Sequence, residues 1–440
     1  MLKRLLENLL KLIAMKTIYK LTKLTWACIL MLFPILILAQ TATTTINGSI
    51  NDRETKQAIS GATITLVGTN ISTISNTEGD FALKIMEATT SPSLLIEALG
   101  YKNSIQDIAN VDDDINIRLS PKSVDLSEVQ VVGYKSAKEL VKKVFNKKRE
   151  NYIGEPLKMT AFYRETIKKR KKNASLAEAV VSIQKEGYIS SKEDQIRLLK
   201  SRKSTDYAKL DTIALKLQGG PFSTLYVDVM KYPEYIFTPE TMDAYHFSFA
   251  TPTELNGKDV LVVGFEPKPN IVGPLYAGQL YVSATSLALQ KATFTLDLTN
   301  EIEVNKMFVR SKPNGVRVKA RDISYEVDYR EKNGKWYYGY GKANLSFEVK
   351  KRRRLFKSIY TLSCEMAVTD WKVTTADAFS KDGEISPSII MADENLGFGD
   401  PEFWGEYNVI EPERSIEAAI KKIKRNLEKE DNYRASLGGK

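Results

Sequence analysis

The feature that most constrains this chain is period-two alternation of apolar and polar residues in short runs punctuated by turn residues. Thr45-Ile46-Asn47-Gly48-Ser49-Ile50 gives way to the polar turn Asn51-Asp52-Arg53-Glu54, and Ala62-Thr63-Ile64-Thr65-Leu66-Val67 stops at Gly68-Thr69-Asn70. Ser72 to Ser75, Phe81 to Ile85, Leu94 to Ala98 and Ile115 to Leu119 continue the series. Successive side chains of a strand point to opposite faces, so each run buries one face and leaves the other wet. Short strands spaced by Gly/Asn/Asp turns predict an antiparallel sandwich over 44–120. Gly79 and Gly100 stand where tight turns call for positive φ.

The alternation resumes beyond a predicted helix. Ser136-Ala137-Lys138-Glu139 is a capping box, with Ser136 as N-cap and Glu139 at the third helical position. Ala137, Leu140, Val141, Val144 and Phe145 then share one face, which predicts an amphipathic helix to about Arg149. After it, Met159 to Thr166 is expected to turn at 168–173 and return through Leu176 to Gly187. Val260 to Phe265, Leu280 with Val282, and Ala292 with Phe294 and Leu296 mark further strands. Val316 to Tyr329 and Trp336 to Val349 flank Asn333-Gly334, a pair suited to a type I′ hairpin turn, and Leu355 to Val373 extends the meander. A Gly/Pro/aromatic loop, Glu394 to Tyr407, leads to a helix from Ser415 to Leu427 whose inner face carries Ile416, Ile420, Ile423 and Leu427. The fold class expected is therefore mainly β: a seven-stranded sandwich, a linker helix, and a larger antiparallel, half-barrel-like β domain with a C-terminal helix. The boundaries read as 1–40 leader, 41–120 sandwich, 121–150 linker and helix, 151–411 β-rich domain, and 412–440 helix and tail.

The leader decides the expected compartment. Leu24 to Ala39 carries no charge, is preceded by Lys16, Lys20 and Lys23, and ends in Leu38-Ala39-Gln40, the pattern of an export signal. It is either cleaved or retained as an anchor, and Met15 opens an ordinary signal of its own, so 1–14 reads as an upstream start. Cys28 lies inside the apolar stretch with Thr25 at the third position before it, which argues against a lipid anchor. The expected location is the periplasm or the periplasmic face of the outer membrane.

Composition narrows the chemistry. One histidine, His246, and two cysteines, Cys28 and Cys364, exclude a multi-histidine zinc site, a disulfide scaffold and an iron–sulfur cluster. Segments 1–40, 41–135 and 136–440 carry net charges of +5, −5 and +10, which make up the chain's +10. An acidic small module beside a basic larger one points, in an exported chain, to anionic lipid headgroups before nucleic acid.

Motifs within the first module carry a resemblance. Gly48-Ser49-Ile50-Asn51-Asp52, Ile59-Ser60-Gly61-Ala62-Thr63-Ile64, Gly68-Thr69, Thr77-Glu78-Gly79-Asp80-Phe81, Leu99-Gly100-Tyr101 and Leu126 to Tyr134 recur in this order. This stretch resembles the carboxypeptidase-regulatory-like domain, a transthyretin-like sandwich with a carbohydrate-binding-like fold that often precedes the plug of TonB-dependent receptors in Gram-negative envelopes. The resemblance implies support or binding and no hydrolysis, because a metallocarboxypeptidase needs two histidines and glutamates that one histidine cannot supply. About 300 residues follow the sandwich, too few for a plug and a barrel of about twenty-two strands. Asn151-Tyr152, Pro156, Phe162 to Glu165, Tyr276 to Val282 and Phe403 to Pro412 are similar to segments of uncharacterised envelope proteins with the same N-terminal sandwich. Tyr276 to Ala292 also resembles a sheet element of lipoprotein-carrier half-barrels, which cup an acyl chain.

The remaining motifs have plain alternatives. His246, in Tyr245-His246-Phe247, lacks a nucleophile-elbow serine or cysteine and reads as structural or surface. Asp112-Asp113-Asp114 lacks the alternating spacing of a calcium loop and reads as a solvated turn. Two basic runs, Lys168-Lys169-Arg170-Lys171-Lys172 and Lys350-Lys351-Arg352-Arg353-Arg354, are either charged hairpin tips or contacts to an anionic surface. No Walker-type phosphate loop occurs, and no carboxylate pair stands out for glycoside hydrolysis. The sequence thus predicts no catalytic residues, no cofactor and no metal. It predicts a non-catalytic envelope protein that binds a partner protein, lipid or glycan, with peripheral membrane association and no nucleic acid. A lipid or lipoprotein carrier and a carbohydrate-binding module are the alternatives, and a hydrolase is disfavoured.

Overall fold

A computed structural model describes residues 43–86, 91–108, 114–122, 135–205, 219–255, 258–308 (without 270, 272 and 274), 314–352, 356–374, 383–391 and 401–421 (without 419). Nearly all of them belong to one compact unit, 45–85 with 91–440; of the other unit, 1–44 with 86–90, only Thr43, Thr44 and Met86 are described. The export segment, Cys28, Asp112, Asp113, Arg353, Arg354 and the stretch Leu126 to Tyr134 lie outside the described residues.

The N-terminal module has the seven strands expected: β1 (Thr43–Asp52), β2 (Thr63–Leu66), β3 (Ser72–Ile74), β4 (Asp80–Met86), β5 (Ser93–Glu97), β6 (Ser104–Asp107) and β7 (Ile115–Leu119). They form two sheets, β4-β1-β7 and β3-β2-β5-β6, which enclose Ile46, Ile50, Ile64, Phe81, Leu83, Leu94, Ile96 and Ile117. Gly79 and Gly100 both adopt φ +82, and a Cβ on Gly79 would lie 2.6 Å from the Ile50 carbonyl oxygen. Expecting an all-antiparallel sandwich was wrong in one place. β1 and β7 pair in parallel, from Gly48↔Ile115 to Asp52↔Leu119. Parallel neighbours need a long crossover, and the other strands of the module, threaded through both sheets, supply it. β6 also escaped the sequence pattern, because Ser104-Ile105-Gln106-Asp107 has almost no apolar content.

Helix α1 (Ala137–Asn146) starts where the capping box put it: the Ser136 hydroxyl accepts from the Glu139 N–H at 3.2 Å, and Leu140, Val141 and Val144 are buried. The helix does not run on to Arg149. It breaks at Lys147, and a separate turn, α2 (Lys148–Asn151), follows.

Ten strands then build a single antiparallel sheet: β8 (Leu157–Lys169), β9 (Lys172–Lys185), β10 (Gln195–Thr205), β11 (Tyr245–Leu255), β12 (Lys258–Pro267), β13 (Tyr276–Ser283), β14 (Leu289–Leu296), β15 (Val316–Lys332), β16 (Lys335–Lys351) and β17 (Ser358–Val373), in the order β10-β9-β8-β17-β16-β15-β14-β13-β12-β11. The Asn333-Gly334 turn between β15 and β16 has φ +53 and +78, as a type I′ turn requires. Between β10 and β11 lies an insert with helix α3 (Phe222–Leu225), and between β14 and β15 lies helix α4 (Glu301–Phe308). A C-terminal helix is described over 414–418 and at 420–421. Ile416 is buried, Ile420 is half-buried, and Ile423 and Leu427 lie outside the described residues.

Both faces of the sheet are used. The inner face (Met159, Ala161, Tyr163, Val181, Leu345 and Leu362, among others) packs on α1, α3 and the insert. On the outer face Phe162, Val180, Tyr340 and Ala367 meet Ile74 of the sandwich and Trp404 and Ile410 of the C-terminal segment.

Candidate functional site

Alternation along β8 separates the chemistry of the two faces: Tyr163 and Glu165 point inward, Phe162 and Arg164 outward. On the outer face Arg164 Nε lies 2.8 Å from Glu178 Oε1, and Arg202 Nε lies 2.6 Å from Glu178 Oε2, all three side chains buried. Burial alone would push the Glu178 carboxyl up, but the two guanidinium groups outweigh it and hold the group below the ordinary range. Arg164 also donates from Nη2 to the Ile410 carbonyl at 2.7 Å, which ties the C-terminal segment to the sheet.

That segment is a wedge between the modules. Asn408 accepts from the Lys84 N–H at 2.6 Å and donates to the Lys84 carbonyl at 3.1 Å, extending the exposed edge of β4. Beside it, Arg330 donates from Nη1 to Ser72 Oγ at 2.6 Å and to the Val368 carbonyl at 2.9 Å, while Asn70 donates to the Trp371 carbonyl. Leu99 packs over Val260 and Val262 farther along the same face. The sandwich is therefore fixed to the sheet by buried apolar and polar contacts.

The inner face holds a second ionic cluster. Lys185 Nζ lies 2.6 Å from Asp194 Oδ2 and 2.9 Å from Asp228 Oδ2, with all three side chains at 1% exposure or less. The Tyr232 and Tyr329 hydroxyls donate to Asp194 and Asp228, each at 2.8 Å. Burial would depress the lysine, yet Asp194 and Asp228 raise its pKa above the ordinary value. Lysine between two carboxylates resembles acid–base machinery, but no side chain here reaches solvent. Asp228 sits in the insert just after α3, so the cluster pins the insert to β9 and β15. Sequence reasoning passed over these residues because they come from three separate segments. The available signal was Lys185 continuing the inward register of Val181 and Ile183.

Other reactive groups are closed off as well. Cys364 is fully buried, and burial, with the nearby Glu165, pushes its thiol well up. Glu165 is 2% exposed; burial pushes its carboxyl up to about 7, although the Tyr163 hydroxyl donates to it at 2.9 Å and opposes the shift. His246 is exposed on the edge strand β11. Asp114 is exposed at the start of β7, and no cluster of metal-ligating side chains occurs among the described residues.

Concavities occur on both faces of the sheet. Beneath α1, Val141, Val144, Phe145, Met230, Phe237, Leu280 and Leu289 close around a gap of about 10 Å³. On the outer face a polar cleft of about 210 Å³ is lined by Arg164, Lys342, Asn344, Ser363, Glu365 and Glu413, among others.

The sheet brings the two basic runs together. Lys169 pairs with Tyr360 of β17, Ser358 pairs with Val349 of β16, and Lys351 pairs with Val316 of β15. The tip Lys168 to Lys172 and the segment Lys350 to Arg352 thus lie at one end of the sheet, a single strand apart. Lys168 is 3.8 Å from Glu413, and Lys169 lies over the Tyr360 ring.

Comparisons with known proteins agree with the first module. The model of the CarboxypepD_reg-like domain family matches residues 46–131, so the chain carries such a domain. Among solved structures, a putative outer membrane lipoprotein-sorting protein domain from Vibrio parahaemolyticus is 12% identical, covers 56% of this chain and 95% of its own, and gives a TM-score of 0.24. A DUF1329 family protein from Desulfovibrio piger is 9% identical over 56% of this chain and 96% of its own, also at 0.24. A cohesin–X-dockerin complex from Acetivibrio cellulolyticus is 16% identical over 26% of this chain and 76% of its own, at 0.16. At these scores the likenesses carry no functional argument. No curated protein matches.

Proposed function

We propose that this chain is a non-catalytic binding protein of the bacterial envelope, in which the CarboxypepD_reg-like domain and the ten-stranded sheet act as one body that engages its partner through its surface. One observation carries this reading: the sheet's inner face is already filled by α1 and the insert. Among the described residues the gap between α1 and the sheet, about 10 Å³, is at the lower limit for a single water, far below the needs of an acyl chain. A carrier that cups lipid against this face is disfavoured accordingly. Burial of Lys185, Asp194, Asp228, Glu165 and Cys364 supports a structural role for the groups most able to do chemistry. Among the described residues no helix is long and apolar enough to cross a membrane, and the domain type, with the export pattern, favours the periplasm or the periplasmic face of the outer membrane.

Native mass spectrometry of protein purified gently from an envelope fraction tests the reading. A co-purifying protein, or an apo mass with reversible surface association, is expected. A stoichiometric lipid that survives purification would overturn it in favour of a carrier, with α1 displaced from the apolar residues it now covers.

A further inference from the structure

Six basic residues, Arg170, Lys171, Lys172, Arg317, Lys350 and Arg352, are exposed at the shared end of β8, β9, β15 and β16, and none has a carboxylate within ion-pair distance among the described residues. The nearby acids are already engaged: Glu348 by Arg321 at 3.0 Å and Lys357 at 2.6 Å, and Glu301 by Lys319 at 2.7 Å. Large apolar side chains stand out among these cations. Phe356 is 79% exposed and Ile359 is 39% exposed, both where the chain enters β17. Helix α4 packs beside the start of β15 and exposes Ile302 and Met307.

A solvated hairpin tip explains the charges but not the phenylalanine, since leaving such a ring in water forgoes a substantial burial free energy. It also leaves the turn chemistry unexplained. Arg170 occupies φ +56 in the two-residue turn Arg170-Lys171, where glycine or asparagine is the unstrained choice. The turn is nevertheless stitched down: Arg170 donates its N–H to the Ile359 carbonyl at 2.7 Å and its Nη2 to the Lys357 carbonyl at 3.4 Å. A strained position that keeps a cation in place, beside an exposed aromatic ring, is an arrangement suited to an anionic interface.

We propose that this end of the sheet docks on the headgroups of an anionic lipid bilayer, with Arg170, Lys171, Lys350 and Arg352 at the phosphates and Phe356 inserted among the upper acyl carbons. The proposal deepens the surface-binding reading above and rests on it. Basic side chains gather anionic lipid, and a wedged aromatic adds apolar burial that salt does not screen. Anchoring by the rim would orient the sheet end-on to the membrane.

The test is co-sedimentation of the exported chain with vesicles of phosphatidylethanolamine and phosphatidylglycerol, with phosphatidylcholine vesicles as the neutral reference. Every variant keeps the same native N-terminus, so its contribution cancels. R170Q/K171Q and K350Q/R352Q should each lower partitioning about thirtyfold, and F356S about tenfold. K158Q/K372Q makes the same charge change on a register pair at the opposite end of β8 and β17, and should bind like the parent. Raising salt should remove most of the binding, and the residue that survives should be lost in F356S. Rim variants that bind like the parent, an equal loss in K158Q/K372Q, or equal binding to phosphatidylcholine would each overturn the proposal. No vesicle binding together with a co-purifying protein in the mass spectrum would remove the lipid rim and leave the broader binding role standing.

Discussion

Glu165→Gln isolates a single buried proton. Glu165 lies on the inner face of β8 opposite Cys364 and Ala177. Burial pushes its carboxyl from the ordinary 4.5 up to about 7, against the opposing hydrogen bond that the Tyr163 hydroxyl donates. A folded-state pKa above the unfolded one means that the folded chain holds the proton more tightly. The stabilisation is therefore fully present at acid pH and is lost as pH rises from 4.5 through about 7. At about 1.4 kcal/mol per pH unit, the window amounts to about 3 kcal/mol. Glutamine imitates the neutral carboxyl and still accepts from Tyr163, so parent and variant should agree near pH 4.5. Above pH 7 the variant should be more stable by about 3 kcal/mol. Urea denaturation followed by tryptophan fluorescence, with midpoint and slope taken at each pH, measures the difference. Other carboxyls raised by burial, Glu97, Asp328 and Glu411 among them, titrate in both proteins and cancel. A parent–variant difference that does not change with pH would refute the reasoning, and one of opposite sign would mean that the anion is the stabilised form.

Two further substitutions probe the outer face. Glu178→Ala leaves Arg164 and Arg202 buried without their shared carboxylate and should cost about 3–5 kcal/mol in urea unfolding; a loss near zero would show that the guanidinium groups reach solvent. Ile74→Ala empties part of the seam against Phe162 and Trp404 and should cost about 2–4 kcal/mol. Hydrogen exchange in that variant should rise in β3 and around Asn408 while the β15–β16 hairpin stays protected, and uniform protection would mean that the seam does not bind the modules together.

How far the sequence was legible depends on how local the determining physics is. Ser136 as a cap, Asn333-Gly334 as a I′ turn, and the positive φ of Gly79 and Gly100 each depend on a few adjacent residues, and each was readable. Strands β10 and β11 were not. β10 reads Gln195-Ile196-Arg197-Leu198-Leu199-Lys200-Ser201, a charged edge strand with a register shift at Leu198/Lys200, and β11 carries Pro252 near a shift at Ala250/Thr253. Edge strands satisfy fewer packing demands, so their patterning is weak. The Lys185–Asp194–Asp228 cluster was hidden for another reason: isolated charges in a sequence look like surface until tertiary structure pairs them. The basic runs were legible as runs, but only the β8-β17-β16 order puts them side by side.

The outer face of the sheet explains where function is left to act. Where the sandwich and the C-terminal wedge lie, that face presents Phe162, Val180, Tyr340 and Ala367, and under Leu99 it presents Val260 and Val262. Between these patches, on β13, β14 and β15, the same face turns to Gln279, Thr293, Thr295, Ser324 and Glu326, around an open polar cleft of about 420 Å³. An antiparallel sheet can keep one face wet only where its side chains are polar, so the switch in composition marks where the attached domain ends. Among the described residues the inner face is mostly apolar, and α1, α3 and the insert pack against it. Among the described residues Phe356, 79% exposed, is the most exposed large apolar side chain, followed by Ile302 at 70% and Ile105 at 68%. Ile302 lies on α4, which packs beside β15, so two of the most exposed apolar groups sit near the basic rim, and that coincidence is the ground for placing the proposed contact there and not on the polar cleft.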